Sequence, residues 1–110
     1  MAHPPKRKEI HLHLDPNLTT YQVQAEYDVA YAGTEEEEKQ LKTLAYQQVD
    51  AALKPYHDEG WVLDGTHHQS VFLERRIIGK EGSFLRGHTH VAAIVGAKVL
   101  LRKEPPHTGL

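Results

Sequence analysis

The sequence predicts a small α+β domain in which two antiparallel β-hairpins flank one amphipathic helix, in the order β-β-α-β-β. Apolar and polar residues alternate with a period of two in residues 10–14, 21–31 and 89–101, which is typical of strands. Between them, residues 35–54 carry apolar side chains at helical spacing. The length of 110 residues, 39% hydrophobic and 25% charged, fits one domain. We therefore expect the helix to cover one face of a four-stranded antiparallel sheet.

The first predicted hairpin occupies the N-terminal part of the domain. Residues 10–14 place their aliphatic side chains on one face of a strand and His11 and His13 on the other. The sequence Asp15-Pro16-Asn17 has turn chemistry, and the alternation resumes over residues 21–31. Because only a short loop joins the two runs, an antiparallel hairpin is the simplest arrangement.

The predicted helix begins after Thr34, which forms a capping-box pattern with Glu37 three residues later. The four glutamates of residues 35–38 suit the positive end of the helix dipole. Pro55 and Gly60 then mark the end of the helical segment. The apolar stripe that we expect to face the sheet consists of Leu41, Leu44, Ala45, Val49, Ala52 and Leu53.

The second half of the chain predicts the other hairpin. Residues 61–63 and a turn lead into residues 70–78, which are rich in β-branched and aromatic side chains and favour a strand. Residues 79–87 contain three glycines and predict the hairpin loop before the strand of residues 89–101. We expect that last strand to face the helix with Val91, Ala93, Val95, Ala97, Val99 and Leu101, and to turn Ala92, Ile94 and Leu100 to the opposite face.

Composition limits the possible functions and locations. The chain contains no cysteine, which excludes a thiolate nucleophile and cysteine-based metal sites. It has no apolar run long enough for a membrane span and no secretory h-region, so we expect a cytoplasmic protein without a membrane partner. Prolines and glycine concentrate at both ends, and we expect residues 1–9 and 104–110 to be flexible tails around a domain of residues 10–103.

Nine histidines are unusual for a chain of this length. Four of them form two His-x-His pairs on predicted strands, and neutral imidazole is the commonest metal ligand. If the first and last strands were neighbours, these pairs could converge on a divalent metal. The alternative is that they are solvated residues on the polar faces of the strands. The candidate ligands are His11, His13, His88 and His90.

Charge is distributed unevenly along the chain. Residues 22–59 hold nine acidic and three basic residues, whereas residues 60–110 hold seven basic and four acidic residues. A basic hairpin together with the basic arm of residues 6–8 could contact the phosphates of a nucleic acid, although the net charge of −2 argues against strong non-specific binding. The candidate contacts on the hairpin are Arg75, Arg76, Lys80, Arg86, Lys98 and Arg102.

An apolar patch is the remaining candidate site. Exposed apolar clusters often mark contact surfaces. We expect one such cluster to combine apolar residues of the last strand that point away from the helix with apolar residues of the loop before that strand. Its members are Phe84, Leu85, Ala92, Ile94 and Leu100. Because no arrangement of a nucleophile with a base is recognisable, the sequence favours a non-catalytic module over an enzyme. The preferred hypothesis is an assembly module that forms a homo-oligomer or binds another protein, with nucleic-acid binding second and a histidine metal site third.

The segment after the helix carries one family resemblance. The sequence Glu59-Gly60-Trp61-Val62-Leu63 follows an amphipathic helix, and an apolar-basic segment, residues 96–103, closes the chain. This pattern resembles a family of short bacterial α+β domains of unknown function that carry an E-G-W-x-L motif. The resemblance covers residues 21–103 and implies a fold and a bacterial or phage-like origin, but no activity.

Overall fold

The computed structural model describes residues 4–24, 29–81 and 89–103, with only the backbone for Lys80 and Glu81. These residues form an α+β fold with a five-stranded antiparallel sheet and helices. A short 3-10 helix, Pro16–Leu18, lies between the first two strands. The elements are β1 Lys6–His13, β2 Thr20–Val23, α1 Glu35–Ala52, α2 Lys54–Asp58, β3 Trp61–Leu63, α3 His67–Ser70, β4 Val71–Glu81 and β5 Thr89–Lys103.

Strand β5 is the centre of the sheet, and the other four strands all pair with it in antiparallel register. Strands β1 and β2 lie end to end along one side of β5, while β3 and β4 lie end to end along the other. The predicted hairpin between the first two strands is therefore wrong. The 3-10 helix carries the chain onward instead of reversing it, so β2 continues in the direction of β1. The second predicted hairpin is confirmed as the β4–β5 pair, although residues 82–88 lie outside the described residues.

The boundaries of several elements differ from the prediction. Residues 6–9, expected in a tail, belong to β1 because they pair with the C-terminal end of β5. Strand β2 ends at Val23, far short of the predicted residue 31. Helix α3 was not expected, and it forms because Thr66 and Gln69 cap it with reciprocal side-chain and backbone hydrogen bonds.

Helix α1 follows its prediction closely. The Thr34 side chain accepts a hydrogen bond from the backbone nitrogen of Glu37 at 3.1 Å, which confirms the predicted N-cap. The helix ends at Ala52, and a separate helical turn, α2, contains Pro55. The stripe that packs on the sheet is narrower than predicted, since Leu44 and Ala52 are exposed. The buried residues of the stripe are Leu41, Ala45 and Val49, followed by Leu53 at the C-cap.

A β-bulge in β5 changes which of its side chains face the helix. Glu74 of β4 lies opposite Gly96, but the next residue, Arg75, lies opposite Ile94. Val95 is therefore an extra residue in β5. Because successive side chains of a strand alternate between faces, one inserted residue reverses the alternation beyond it.

Because of the bulge, the predicted faces of the last strand are wrong for the residues that precede it. Ala92 and Ile94 are 0% exposed and belong to the buried core together with α1, so the expectation that they line an exposed surface is wrong. Val91 and Val95, expected in the core, are only half-buried. The core residues of β5 are Ala92 and Ile94 before the bulge and Ala97, Val99 and Leu101 after it.

The sheet face turned away from α1 carries mainly exposed side chains, and we call it the free face. Along each strand, side chains that point to the free face alternate with side chains that point to the core. Apolar and charged residues are mixed on it. The free face is formed by Arg7, Glu9, His11, His13, Val62, Phe72, Glu74, Arg76, Lys98, Leu100 and Arg102.

Candidate functional site

The structure does not bring together the three described residues of the predicted histidine site. Strands β1 and β5 are neighbours, as the metal hypothesis required, but His11 lies opposite Lys98 and His13 opposite Gly96. His90 pairs with β2, six positions further along β5, which corresponds to about 20 Å. His90 is also buried, whereas His11 and His13 are exposed. His88 lies outside the described residues, within which no group of three metal-ligating side chains is found.

His11 of β1 lies close to two glutamates on the surface of the sheet. The Nδ1 atom of His11 lies 3.6 Å from Oε1 of Glu74, and its Nε2 atom lies 3.7 Å from Oε2 of Glu9. The other carboxylate oxygen of Glu9 lies 3.8 Å from Nζ of Lys98. These are loose, solvent-exposed pairs, which contribute little to stability. The contacts link side chains of β1, β5 and β4 across the free face.

Arg75 is a charged residue of β4 whose side chain is held by several contacts. Its Nη1 and Nη2 atoms donate hydrogen bonds to the two carboxylate oxygens of Glu38 at 2.6 and 3.0 Å. Nη1 also lies 3.5 Å from the hydroxyl of Tyr21, which itself donates to the backbone oxygen of Val29. Burial acts to lower the pKa of Arg75, but the hydrogen bonds to Glu38 and Tyr21 outweigh it and raise that pKa.

Because of this ion pair, the prediction that Arg75 contacts a nucleic acid is wrong. The Arg75 guanidinium is buried between the sheet and α1 and is neutralised by Glu38, so it does not offer a charge to an external phosphate. The sequence contained a signal for the pair. Glu38 lies three and seven residues before Leu41 and Ala45, so helical periodicity places its side chain on the buried side of α1.

Other predicted basic residues do come together, and the basic arm joins them. Arg76, Lys98 and Arg102 all lie on the free face, while Arg86 and the side chain of Lys80 lie outside what the structure describes. Because β1 pairs with the end of β5, the arm of residues 6–8 lies beside the last residues of the sheet. We call this cluster the basic end; it consists of Lys6, Arg7, Lys8, Arg102 and Lys103.

The outer side of β4 forms the second notable surface. In the described part of the chain β4 pairs with β5 alone, so the opposite side of this 11-residue strand is an unpaired edge, the β4 edge. Its helix-facing side chains are buried or half-buried, and its free-face side chains are exposed. Phe72 and Ile78 are 44% and 45% exposed, and Ile78 is the extra residue of a second bulge. The exposed series along the edge is Phe72, Glu74, Arg76 and Ile78.

A groove of about 640 Å³ runs between the β4 edge and helix α1. Leu73 and Arg75 line it from the strand, and Lys42 and Tyr46 line it from the helix. The segment around Tyr31 borders it without pairing with β4. Helix α1 therefore lies across this groove from the β4 edge.

The predicted association patch is not found as an exposed cluster among the described residues. Phe84 and Leu85 lie outside the described residues, and Ala92 and Ile94 are in the core. Leu100 lies on the free face, where it is half-buried. The sequence interpretation missed the β4 edge because an edge position depends on strand order, which a single sequence does not reveal.

Comparison with family models, with curated proteins and with solved structures finds no match to this chain. The resemblance carried by residues 59–63 therefore stays a prediction. In the described residues, no helix combines the length and the apolar character that are needed to cross a membrane.

Proposed function

We propose that the protein is a non-catalytic assembly module, in which the β4 edges of two copies pair to form a homodimer. The observation that carries this proposal is the self-complementary order of exposed residues along β4. An antiparallel pair with its two-fold axis at Arg75 places Glu74 opposite Arg76 of the second copy. The same register places Phe72 opposite Ile78 of the second copy. Each contact occurs twice, as an isologous interface requires.

Neighbouring registers lack this complementarity. With the two-fold axis at Glu74, each Glu74 faces the Glu74 of the other copy. With the axis at Arg76, the two Arg76 side chains face each other. Like charges directly opposite on adjacent strands are destabilising, by up to about 1 kcal/mol for each pair. The charges of the edge therefore favour the register centred on Arg75.

The helix-facing side of the edge supports the same register. Leu73 lies opposite Ile77 of the second copy, so that two half-buried aliphatic side chains meet. At the axis Arg75 faces its own equivalent, which would be repulsive for bare cations. The bidentate bond to Glu38 neutralises each guanidinium and supplies the compensating charge.

A comparison of β1 with β4, which lie on opposite sides of β5, also favours β4 as the strand that pairs with a second copy. Proteins protect edge strands from unwanted pairing with charged residues, and β1 begins with four of them, residues 6–9. The β4 edge is longer and exposes the large apolar side chains of Phe72 and Ile78. Pairing of two β4 edges would satisfy the backbone groups of both strands and join the two sheets.

The mass of the protein in solution tests this proposal. Light scattering is expected to give twice the chain mass of 12.5 kDa. The variant Ile78→Lys places a charge against Phe72 of the second copy and is expected to give a folded monomer. Val62→Lys is the matched control, since Val62 is 42% exposed on the same face but lies on β3, and it should remain dimeric. A monomeric wild type, or a dimer unaffected by Ile78→Lys, would overturn the proposal.

A further inference from the structure

A second groove, which we call the α1 groove, runs along one side of the first half of helix α1 and is bordered by residues 31–34. Its volume is about 650 Å³, within the usual range for small-molecule sites. The helical residues that line it, from Glu35 to Tyr46, cover about 16 Å of the helix axis. Glu35 lies at one end of the groove, and Lys42 and Tyr46 lie at the other. The groove therefore has room for a small organic molecule.

Two tyrosines give the α1 groove aromatic walls. Tyr31 is 69% exposed, so most of its ring is open to a ligand. Tyr46 is half-buried, and the centre of its ring lies 4.8 Å from the centre of the His67 ring. This ring contact supports one orientation of Tyr46. Because aromatic faces pack well against flat apolar groups, the two tyrosines favour a ligand with a flat apolar part.

The charged residues of the α1 groove leave an excess of positive charge near Lys42. The carboxylate of Glu38 is already held by the guanidinium of Arg75, at 2.6 and 3.0 Å. Lys39 and Lys42 then stand against Glu35 alone, which lies about 10 Å from Lys42 along the helix axis. Lys42 is half-buried and forms no ion pair within the described residues. Because a partly desolvated ammonium group is stabilised by an anionic partner, this end of the groove favours an anion.

We propose that the α1 groove binds a small organic anion, with its negative group at Lys42 and its flat apolar part against Tyr31 and Tyr46. A carboxylate, sulfonate or phosphate group supplies the required charge, and an aromatic ring system supplies the flat part. Ligands of this class combine a large apolar contact with one charged anchor, as small-molecule sites usually do. The binding is separate from pairing of the β4 edges, because the walls of the groove belong to residues 31–46 of a single chain.

The experiment titrates the full chain with anilinonaphthalene sulfonate, a flat aromatic anion whose fluorescence rises in apolar sites. Phenylnaphthylamine, which has the same rings without the sulfonate, is the neutral probe. Lys42→Met removes the charge but keeps an apolar side chain. It is expected to weaken binding of the sulfonate about tenfold and to change binding of the neutral probe less than about twofold. Tyr31→Ala removes one aromatic wall and should weaken binding of both probes about fivefold.

The matched control is Lys6→Met, which removes the same charge from an exposed residue of β1 outside the groove and should bind both probes like the wild type. The melting temperature of each variant shows whether lost binding is caused by unfolding. No saturable binding of the sulfonate, an equal loss with Lys6→Met, or an equal loss of both probes with Lys42→Met would overturn the proposal. Because none of the substituted residues belongs to β4, the dimer mass is measured independently and either proposal can fail alone.

Discussion

Arg75 of β4 and Glu38 of α1 form a bidentate ion pair, in which the guanidinium donates one hydrogen bond to each carboxylate oxygen at 2.6 and 3.0 Å. The two side chains are 11% and 12% exposed. The pair connects the first turn of the helix to the edge strand of the sheet. It also neutralises the residue that would lie on the axis of the proposed dimer.

The first prediction concerns the stability that depends on this ion pair. Glu38→Ala leaves the Arg75 cation buried without its carboxylate, and is expected to lower the free energy of unfolding by about 3 kcal/mol. Urea denaturation followed by circular dichroism measures this loss. Glu36→Ala, which removes an exposed glutamate from the same helical turn, should change the free energy of unfolding by less than about 0.5 kcal/mol. Similar effects of both variants would contradict a structural role for the pair.

The raised pKa of Arg75 also determines how its contribution to the free energy of unfolding depends on pH. A cation whose pKa is higher in the folded state stabilises the protein fully below its unfolded pKa, and loses that contribution only when the pH rises through the folded value. An arginine without its carboxylate partner is already protonated at every pH that a folded protein normally meets. The stabilisation from charged Arg75 should therefore be the same at about pH 6 and about pH 9. A contribution that disappears within this range would show that Arg75 titrates there.

A second prediction tests the reversal of faces at the β5 bulge. Ile94→Ala removes a fully buried side chain beneath α1 and is expected to cost about 3 kcal/mol of unfolding free energy. Val95→Ala changes the neighbouring half-buried bulge residue and should cost about 1 kcal/mol or less. Chemical denaturation of both variants gives the comparison. The opposite ranking would mean that the strand faces the helix as the simple alternation predicts.

A third prediction concerns the close approach of β1 to β5. A Cβ atom on Gly96 would lie 2.8 Å from the backbone oxygen of Leu12, so Gly96→Ala must displace one strand and is expected to cost about 2 kcal/mol. Gly33→Ala is the matched control because a Cβ atom there meets nothing within 4 Å. Its melting temperature should match that of the wild type. A tolerated Gly96→Ala would contradict the register of β1 on β5.

Local patterns in the sequence predicted the elements that depend on local interactions. The N-terminus of α1 follows from the side chain of Thr34 and the glutamates after it, since capping is a contact across three residues. The long last strand follows from its β-branched and apolar residues. The buried positions of α1 were predicted in part, but Leu44 is exposed because the sheet covers a narrower stripe than the helix offers.

The features that were missed depend on contacts between distant parts of the chain. Alternation assigned Ile94 to the wrong face because the extra residue Val95 is visible only when β5 is paired with β4. The separation of the described histidines also depends on strand register. The premise that β1 and β5 are neighbours is correct, but the register separates His13 from His90. Strand order also decides that β4 is an edge among the described residues, which is the position that the proposed dimer requires.

An exchange of charges on the β4 edge tests the central claim most directly. Glu74→Arg alone and Arg76→Glu alone each turn two attractive contacts into repulsive ones. Each is expected to weaken self-association roughly 30-fold. Glu36→Arg makes the same charge change on the exposed first turn of α1 and should leave the dimer intact.

The decisive measurement is the mass, by analytical ultracentrifugation, of an equimolar mixture of the two edge variants. In a mixed pair every substituted residue at position 74 or 76 lies opposite a residue of the other sign. The account predicts that the mixture forms a heterodimer at concentrations where each variant alone is monomeric. A mixture that stays monomeric while the wild type dimerises would show that the two copies do not pair along β4 in the register centred on Arg75.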